Sequence, residues 1–362
     1  MVNRLKNALW LIVGVVAAVW ALTTLVGVVQ GGPMEPPAAP GPTNRMAIYQ
    51  PAPGGFPIVI SQPGSYYLGE NITGEADKDG IHIRADNVTL DLNGFTLKGA
   101  EGKSSYNGIT VPLDPTGTVY NLSIFNGTIR DWGNAGIGAS DPNGEAYNAH
   151  LADLSLMDNG GPGVRIGDAC IVSEVIADSN GGPGVTVGLY CTVSQVIATG
   201  NGGHGIQASQ GSIVERATVS GNQGDGINVY NGTIMDSFSQ FNTGSGITNG
   251  EGTVTNCTVM ANSGDGIRGA GIIIGNEAWD NGYGTADGAG IHVWSWSRVE
   301  GNDVQWNDRG IDADGTDNII IKNSATANTI NYAIAGGNAM GQSIDMTAGG
   351  TIDADPWANF SY

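Results

Sequence analysis

Short apolar stretches recur along the chain at a nearly constant spacing. A glycine followed by Val or Ile, and then by alternating apolar and polar positions, recurs with spacings of 21, 21, 21, 20 and 20 residues at Gly163, Gly184, Gly205, Gly226, Gly246 and Gly266. The same unit with longer connections lies at Gly80, Gly108, Gly136, Gly290 and Gly310, and it degrades at Ala333-Ile334. Self-similarity at a fixed period of this length predicts a repeat architecture, here of about twelve turns.

Each unit contains three short runs rich in β-branched residues, separated by Gly, Asn, Asp and Ser. In one unit the runs are 164–166, 171–172 and 175–177. Such runs predict three short strands per turn. Strands this short do not bury an apolar face alone, so successive turns must stack in parallel, about 4.8 Å apart, around a Val and Ile core. The sequence therefore predicts an all-β solenoid.

Two polar columns follow from this stacking. An Asn stands about four residues before most of the repeated glycines, at Asn159, Asn180, Asn201, Asn222, Asn242 and Asn262, and less regularly at Asn307 and Asn328. Stacked amides form hydrogen bonds along such a rod, so we interpret this column as structural. Cys170 and Cys191 lie at the same offset in adjacent turns, either as stacked thiols or as a disulfide, and Cys257 aligns with the core positions Val175 and Val196.

The repeated pattern N-x-G-x-G-I-x-V and the segment DNVTLDLNGFTLKG at 86–99 resemble a known superfamily. They are similar to the right-handed parallel β-helix repeats of pectate-lyase-like proteins, and most of all to bacterial exported proteins with a right-handed β-helix region. The resemblance covers about 58–345 and implies a right-handed parallel β-helix. It does not imply one activity, because this architecture carries lyases, hydrolases, epimerases and adhesins.

The regions outside the repeats predict export. Ala8 to Val29 contains no charged residue and follows Arg4 and Lys6, so 1–30 is either a signal peptide or a hydrophobic membrane-anchor helix. The Pro- and Gly-rich stretch 31–57 is predicted to be a linker, 58–345 the β-helix and 346–362 a C-terminal cap. We therefore expect an extracytoplasmic protein, secreted or held at the cell envelope, that contacts membrane only through an uncleaved N-terminal segment.

Composition narrows the class of partner. The chain of 362 residues has 59 Gly, only 13% charged residues and a net charge of −20. The glycines do not fall at every third position, which excludes collagen, and the 40% hydrophobic content is enough for a large core. The acidity disfavours nucleic acid and anionic lipid surfaces as partners.

Candidate chemistry concentrates in the turns from 264 to 317. Residues that follow the inward Ile of each repeated strand point outward, and this column ends with Arg268, His292, Asp312 and Ala335. Arg268, His292 and Arg309 are the candidate catalytic residues. Half of the tryptophans lie in or near the same turns, and the candidate sugar-binding residues are Trp279, Trp294, Trp296 and Trp306. Asp265, Asp312 and Asp314 are candidate ligands of a Ca²⁺ ion; we predict no other cofactor.

Three functions are compatible with these residues. The leading hypothesis is a cell-envelope protein that binds a polysaccharide or other glycan through its Trp-rich face. The resemblance implies a second, a Ca²⁺-dependent polysaccharide lyase in which Arg268 or Arg309 is the base. A third is a purely structural surface rod. If the chain is an enzyme, the residues favour a lyase over a glycoside hydrolase, because the acidic motifs of the polygalacturonase-like hydrolases are missing upstream of His204.

Overall fold

The computed structural model describes residues 45–101, 105–111, 118–139, 146–282, 288–347 and 355–362. The predicted N-terminal segment 1–30 and the first part of the predicted linker lie outside these residues. The described residues contain no helix with the length and apolarity that crossing a bilayer requires. They are all-β, and their strands pair in parallel in the predicted right-handed β-helix.

Each turn contributes a first, a second and a third strand, and like strands stack into columns. The first-strand column consists of Ile58–Ile60, Ile81–Ile83, Ile109–Val111, Ile137–Ala139, Val164–Ile166, Val185–Val187, Ile206–Ala208, Ile227–Val229, the first halves of Ile247–Thr255 and Ile267–Ile274, Ala289–Val293, Arg309–Ala313 and Ile330–Ile334. These are thirteen turns within the described residues, which we number 1 to 13.

The second-strand column consists of Arg45–Ile48, Gly64–Leu68, Val88–Asp91, the first halves of Ser123–Arg130, His150–Met157 and Ile171–Asp178, then Thr192–Ser194, Ile213–Glu215, Thr233–Met235, the second halves of Ile247–Thr255 and Ile267–Ile274, Arg298–Glu300, Ile319–Ile321 and Ala339–Met340. Its first strand lies within the segment predicted as a linker. A separate pair, Val119–Tyr120 and Ala146–Tyr147, precedes the second strands of turns 3 and 4.

The third-strand column consists of Ile72–Thr73, Thr96–Lys98, the second halves of Ser123–Arg130, His150–Met157 and Ile171–Asp178, then Ile197–Thr199, Thr218–Ser220, Phe238–Gln240, Thr258–Met260, Glu277–Trp279, Asp303–Gln305, Ser324–Thr326 and Asn359–Ser361. The last of these belongs to the predicted C-terminal cap and also pairs with Ser343–Asp345. The chain end is thus held against the final turns by backbone hydrogen bonds.

The core is a stack of aliphatic side chains, as predicted. The inward residues of the first strands, such as Val164, Val185 and Ile206, are fully buried and pair with one another in register. The glycine before each of them has a steric cause. A Cβ on Gly163 would lie 2.6 Å from the carbonyl oxygen of Gly184 in the next turn, so a side chain there would push the turns apart.

The asparagine column is a buried ladder. Asn180 Nδ2 donates to Asn201 Oδ1 at 3.0 Å, Asn201 Nδ2 donates to Asn222 Oδ1 at 2.9 Å, and equivalent bonds run from Asn159 to Asn328. The ladder also includes Asn281, which the spacing alone did not predict. The left-handed conformation belongs to the residue before each Asn, for example Ser179 with φ of 55°.

The three cysteines are buried free thiols. Cys170 and Cys191 stack as predicted, with the backbone N–H of Cys170 donating to Cys191 Sγ at 3.3 Å. Of the two alternatives for this pair, the structure has the thiols and not the disulfide. Cys257 lies in the inward column of the turn between second and third strands, and burial raises its thiol pKa to about 12.

Two details of the fold differ from the prediction. The solenoid has thirteen turns because Ile58–Ile60, which no glycine precedes, already forms the first. In turn 13 the expected alignment of Ala335 with Asp312 is wrong, because Ala333 pairs with Asp312. The cause is Tyr332, which pairs with Ile311 and whose hydroxyl donates to the carbonyl oxygens of Asn323 and Phe360 at 3.0 and 2.8 Å.

Candidate functional site

The outward face of the first-strand column carries the candidate site in turns 10 to 12. Arg268 pairs with His292 and His292 pairs with Asp312, so these three residues occupy one column on consecutive strands. The predicted vertical neighbours are therefore adjacent. Asp265 and Arg309 stand three residues before Arg268 and Asp312, in the column just before the repeated glycine.

His292 connects three turns through its two ring nitrogens. Nδ1 lies 3.1 Å from Asp265 Oδ2 in turn 10, and Nε2 lies 3.2 Å from Asp314 Oδ2 in turn 12. The His292 and Asp265 side chains are only 12% and 10% exposed, whereas Asp314 is 64% exposed. The hydrogen bond to Asp265 is the main reason why the pKa of His292 is raised. The imidazole is held by one buried and one solvent-facing carboxylate.

Asp265 also has a structural role. Its Oδ1 accepts the backbone N–H of Ala289 at 2.8 Å, while Oδ2 faces His292. Asp225 accepts the N–H of Ser245 in the same way. An aspartate at this position therefore tethers the next turn, and Asp265 uses its remaining oxygen to orient the imidazole.

The two arginines of the site have different surroundings. Arg309 contacts the Asp312 carboxylate, whose side chain is 2% exposed. Burial nevertheless raises the pKa of Asp312, because desolvation outweighs the neighbouring guanidinium. Arg268 is about half-exposed, lies 3.9 Å from Asp265, and places its guanidinium 5.8 Å from the centre of the Trp294 ring. Arg268 is thus the arginine that faces solvent.

The tryptophans lie on two different edges of this face. Trp294 and Trp296 follow the first strand of turn 11, and Trp294 contacts Arg268. Trp279 and Trp306 lie at the ends of third strands, where their rings meet edge to face at 6.2 Å. The predicted sugar-binding set is therefore two pairs, of which only one is in contact with the charged cluster.

Three side chains at the site form a candidate metal-binding group, but its donor set differs from the predicted one. Donor atoms of His292, Asp312 and Asp314 lie within 4.8 Å of one another. Asp265 is not in this group and instead contacts the other nitrogen of His292. An imidazole nitrogen and a carboxylate already bound to Arg309 fit Ca²⁺ poorly, since Ca²⁺ prefers six to eight oxygen ligands.

Sequence reasoning named Asp265 and Asp314 as candidate metal ligands in the turns of His292 but did not predict their hydrogen bonds to the imidazole, and it missed a set of exposed tyrosines. Asp314 lies one residue beyond its strand, so no strand alternation places it. Tyr190 and Tyr230 lie at the corner between first and second strands and are 68% and 63% exposed. An alignment of the corner residues of every turn is the signal that would have found them.

Comparison with known proteins supports the fold. Residues 143–304 match the family model described as right handed beta helix region. No curated protein matches the chain in sequence. Two A-modules of mannuronan C-5 epimerases from Azotobacter vinelandii are similar in structure. The AlgE6 module has a TM-score of 0.62 and 18% identity over 83% of this chain and 91% of its own. The AlgE4 module has a TM-score of 0.61 and 16% identity, over 76% of this chain and 90% of its own.

A third similar structure is the tailspike protein of the E. coli bacteriophage HK620 in complex with a hexasaccharide. Its TM-score is 0.51 and its identity 15%, over 83% of this chain and 62% of the tailspike chain. At these identities the likeness concerns the fold alone. The chain is a right-handed parallel β-helix, the fold that the resemblance of its repeats implied.

Proposed function

Starting from this fold, we propose that the protein binds carbohydrate on the first-strand face of turns 10 to 12. The observation that carries the proposal is the chain of contacts from Asp265 through His292 to Asp314, beside the Arg268 and Trp294 pair. Aromatic faces cover the apolar faces of sugar rings, and charged side chains bind their hydroxyl and carboxylate groups. Similar folds in a mannuronan C-5 epimerase module and in a tailspike with a bound hexasaccharide support this class of ligand.

The local charge supports it as well. The chain as a whole carries a net charge of −20. The site instead brings together three basic side chains, Arg268, Arg309 and His292, and three acidic ones, Asp265, Asp312 and Asp314. With His292 protonated these charges balance, so the site does not repel an acidic sugar as the rest of the surface does.

Binding to an array of neutral and uronate-containing oligosaccharides tests the proposal. We expect Trp294→Ala to weaken binding about tenfold, since an aromatic stack contributes about 1.5 kcal/mol. The matched control is Trp357→Ala, because Trp357 is also exposed and has Lys322 Nζ 4.8 Å from its ring centre at the far end of the chain. Equal effects of the two variants, or no binding by the unaltered protein, would contradict the proposal and leave the structural rod.

The second candidate, a polysaccharide lyase, is favoured by the raised pKa of His292 beside a half-exposed arginine. In this scheme the neutral guanidine form of Arg268 takes the proton from the carbon next to a uronate carboxylate and becomes a guanidinium, the bond from the ring to the departing oxygen breaks, and an unsaturated uronate forms. His292 gives its proton to the departing oxygen. The contact of Arg309 with Asp312 makes Arg268 the better of the two predicted bases.

Ultraviolet absorbance of the unsaturated product, measured on alginate and polygalacturonate with and without added Ca²⁺, tests this candidate. Activity that is lost in both Arg268→Ala and His292→Ala but retained in His82→Ala supports it. His82 is the matched control, because it lies in the same outward column and contacts Asp79 at 2.7 Å. Binding without any absorbance change leaves the carbohydrate-binding function alone.

Export completes the proposal. We propose that the apolar N-terminal segment directs the chain out of the cytoplasm, where extracellular glycans are its partners. Cell fractionation of the tagged full chain tests this, and N-terminal sequencing of the mature protein distinguishes a cleaved signal peptide from an anchor. Recovery in the cytoplasmic fraction would contradict it.

A further inference from the structure

Tyrosines lie at one corner of the β-helix on the N-terminal side of the candidate site, of which Tyr190 and Tyr230 are exposed and Tyr147 is half-buried. Tyr147, Tyr190 and Tyr230 each lie at the corner between first and second strands, in turns 4, 6 and 8. We call these three residues the tyrosine ridge. Trp294 and Trp296 occupy the same corner in turn 11, and Tyr120 in turn 3 stacks on Tyr147 at 5.6 Å. One edge of the β-helix thus carries aromatic rings in turns 3, 4, 6, 8 and 11.

The rings of the ridge lie along the rod. A Cβ on Gly211, in the turn after Tyr190, would fall 2.5 Å from the Tyr190 ring. A Cβ on Gly250, in the turn after Tyr230, would fall 3.5 Å from that ring. The Tyr190 ring therefore leans over Gly211, where the absence of a side chain gives it room, and the Tyr230 ring lies in ordinary van der Waals range of the Gly250 position. With 68% and 63% of their surfaces exposed, Tyr190 and Tyr230 present large ring areas to solvent.

The members of the ridge are evenly spaced along the rod axis but do not share one register position. Tyr147 and Tyr230 stand three residues before the second-strand residues His150 and Thr233, whereas Tyr190 stands two residues before Thr192. The ridge members are two turns apart, which is roughly 9.6 Å at the spacing of parallel strands. This is about the length of a disaccharide unit in an extended polysaccharide chain. A chain that lies parallel to the rod axis would therefore meet a tyrosine at every second sugar.

The charges beside the ridge restrict the ligand. Asp168 lies at this corner in turn 5, with its Oδ1 accepting the N–H of Leu189 at 2.6 Å, and Glu251 is exposed at the corner of turn 9. These carboxylates repel a polyuronate and leave hydroxyl-bearing sugars unaffected. A neutral polysaccharide fits this edge better than an acidic one.

We propose that the tyrosine ridge is an extended binding surface for a neutral, extended polysaccharide, aligned with the rod axis and on the same edge as Trp294. The inference rests on the proposed carbohydrate-binding function for the class of ligand. To that function it adds the direction in which the polysaccharide lies, the neutral character of the polysaccharide and the three ridge tyrosines as contact residues. Because the ridge spans turns 4 to 8, its contribution grows with ligand length.

Affinity electrophoresis and calorimetry of the full chain test the ridge, with hydroxyethylcellulose as the long ligand, cello-oligosaccharides of increasing length as short ones, and alginate as the acidic comparison. We expect Tyr190→Ala with Tyr230→Ala to weaken binding of hydroxyethylcellulose at least tenfold and of the shortest oligosaccharide less than twofold. Tyr190→Phe with Tyr230→Phe keeps the rings and should keep binding. Phe241→Ala is the matched control, because Phe241 is 58% exposed and shares the left-handed backbone of Tyr190 on a different edge.

The outcomes separate the two proposals. Loss of hydroxyethylcellulose binding in the Tyr190→Ala and Tyr230→Ala double variant supports the ridge. If Trp294→Ala then has no effect on binding, the proposed binding site in turns 10 to 12 is wrong and the ridge proposal stands. Binding that depends on Trp294 but not on the tyrosines at any ligand length overturns the ridge and leaves the proposed function. Preference for alginate over hydroxyethylcellulose overturns the neutral ligand, and no binding to any of them overturns both.

Discussion

Removing one amide from the middle of the asparagine ladder tests whether the ladder holds the turns together. In Asn201→Ala the side chain loses four hydrogen bonds. Its Nδ2 no longer donates to Asn222 Oδ1 or to the Ala177 carbonyl oxygen, at 2.9 and 3.0 Å. Its Oδ1 no longer accepts from the backbone N–H and Nδ2 of Asn180, both at 3.0 Å.

The expected cost follows from this count and from burial. Asn201 is 0% exposed, so water does not replace the lost partners. At about 1 kcal/mol for each net hydrogen bond, the four bonds give a loss of about 4 kcal/mol in the free energy of unfolding. That is a large part of the 5–15 kcal/mol typical of folded domains. The matched control is Gln223→Ala, an exposed position near the ladder, where we expect a change within about 0.5 kcal/mol.

Equilibrium urea denaturation of both variants, followed by circular dichroism, gives the two free energies of unfolding. Stacked repeats do not always unfold in one step, so amide hydrogen exchange supplies the local measurement. The exchange of the Asn180 N–H should accelerate most, because it loses its acceptor. A loss below 1 kcal/mol, or one equal to that of Gln223→Ala, would mean that the ladder follows from the fold and contributes little to it.

Three further predictions concern a titration, the thiols and the glycine column. The hydrogen bond to Asp265 raises the pKa of His292 above its ordinary value of 6.5. Protonated His292 therefore stabilises the fold fully below pH 6.5, and this stabilisation is lost as the pH rises through the raised pKa. Urea midpoints of His292→Gln should fall below those of the unaltered protein in acid and converge with them in alkali, and a gap that widens with pH would refute this. Cys170, Cys191 and Cys257 are buried free thiols, so titration of the unfolded, unreduced protein with a thiol reagent should give three thiols per chain. A result of one thiol would reveal a disulfide. The native protein should react slowly with the same reagent, because all three thiols are buried. Gly184→Ala should lower the free energy of unfolding by about 1–3 kcal/mol, because its Cβ would lie 2.7 Å from the Gly205 carbonyl oxygen. The control Gly336→Ala should be close to neutral, because its Cβ would have no atom within 4 Å. Urea denaturation compares the two variants, and equal losses would refute the steric argument.

The sequence predicts the solenoid well because one physical requirement is repeated in every turn. A side chain before the inward Val or Ile would collide with the next turn, so the glycine spacing reports the turns directly. Prediction fails where this requirement is absent. Pro57, not glycine, precedes Ile58 in turn 1, and Asn331 and Tyr332 replace the glycine and isoleucine in turn 13. The spacing did not predict that Asn281 belongs to the asparagine ladder, because a longer connection places it nine residues before its glycine instead of four.

The candidate site is predictable in register but not in contacts. Strand spacing alone puts Arg268, His292 and Asp312 in one column. It does not say that His292 takes Asp265 and Asp314 as partners, because these contacts depend on side-chain conformations and on a residue beyond the strand end. For the same reason the tryptophans look like one cluster in the sequence and lie on two edges in the structure.

What distinguishes the site from an ordinary solenoid surface is that one side chain, His292, connects three turns. Pairs three residues apart recur on this face, where Asp79 meets His82, Asp225 meets Asn228, Asp265 meets Arg268 and Arg309 meets Asp312. Such pairs lie within single turns and follow from two neighbouring columns of polar residues, so they are no evidence of function by themselves. His292 is different, because both of its partners come from other turns and one of them is exposed. If the site is functional, replacing His292 must affect ligand binding or turnover more than replacing His82, although both remove an imidazole paired with a buried or partly buried aspartate.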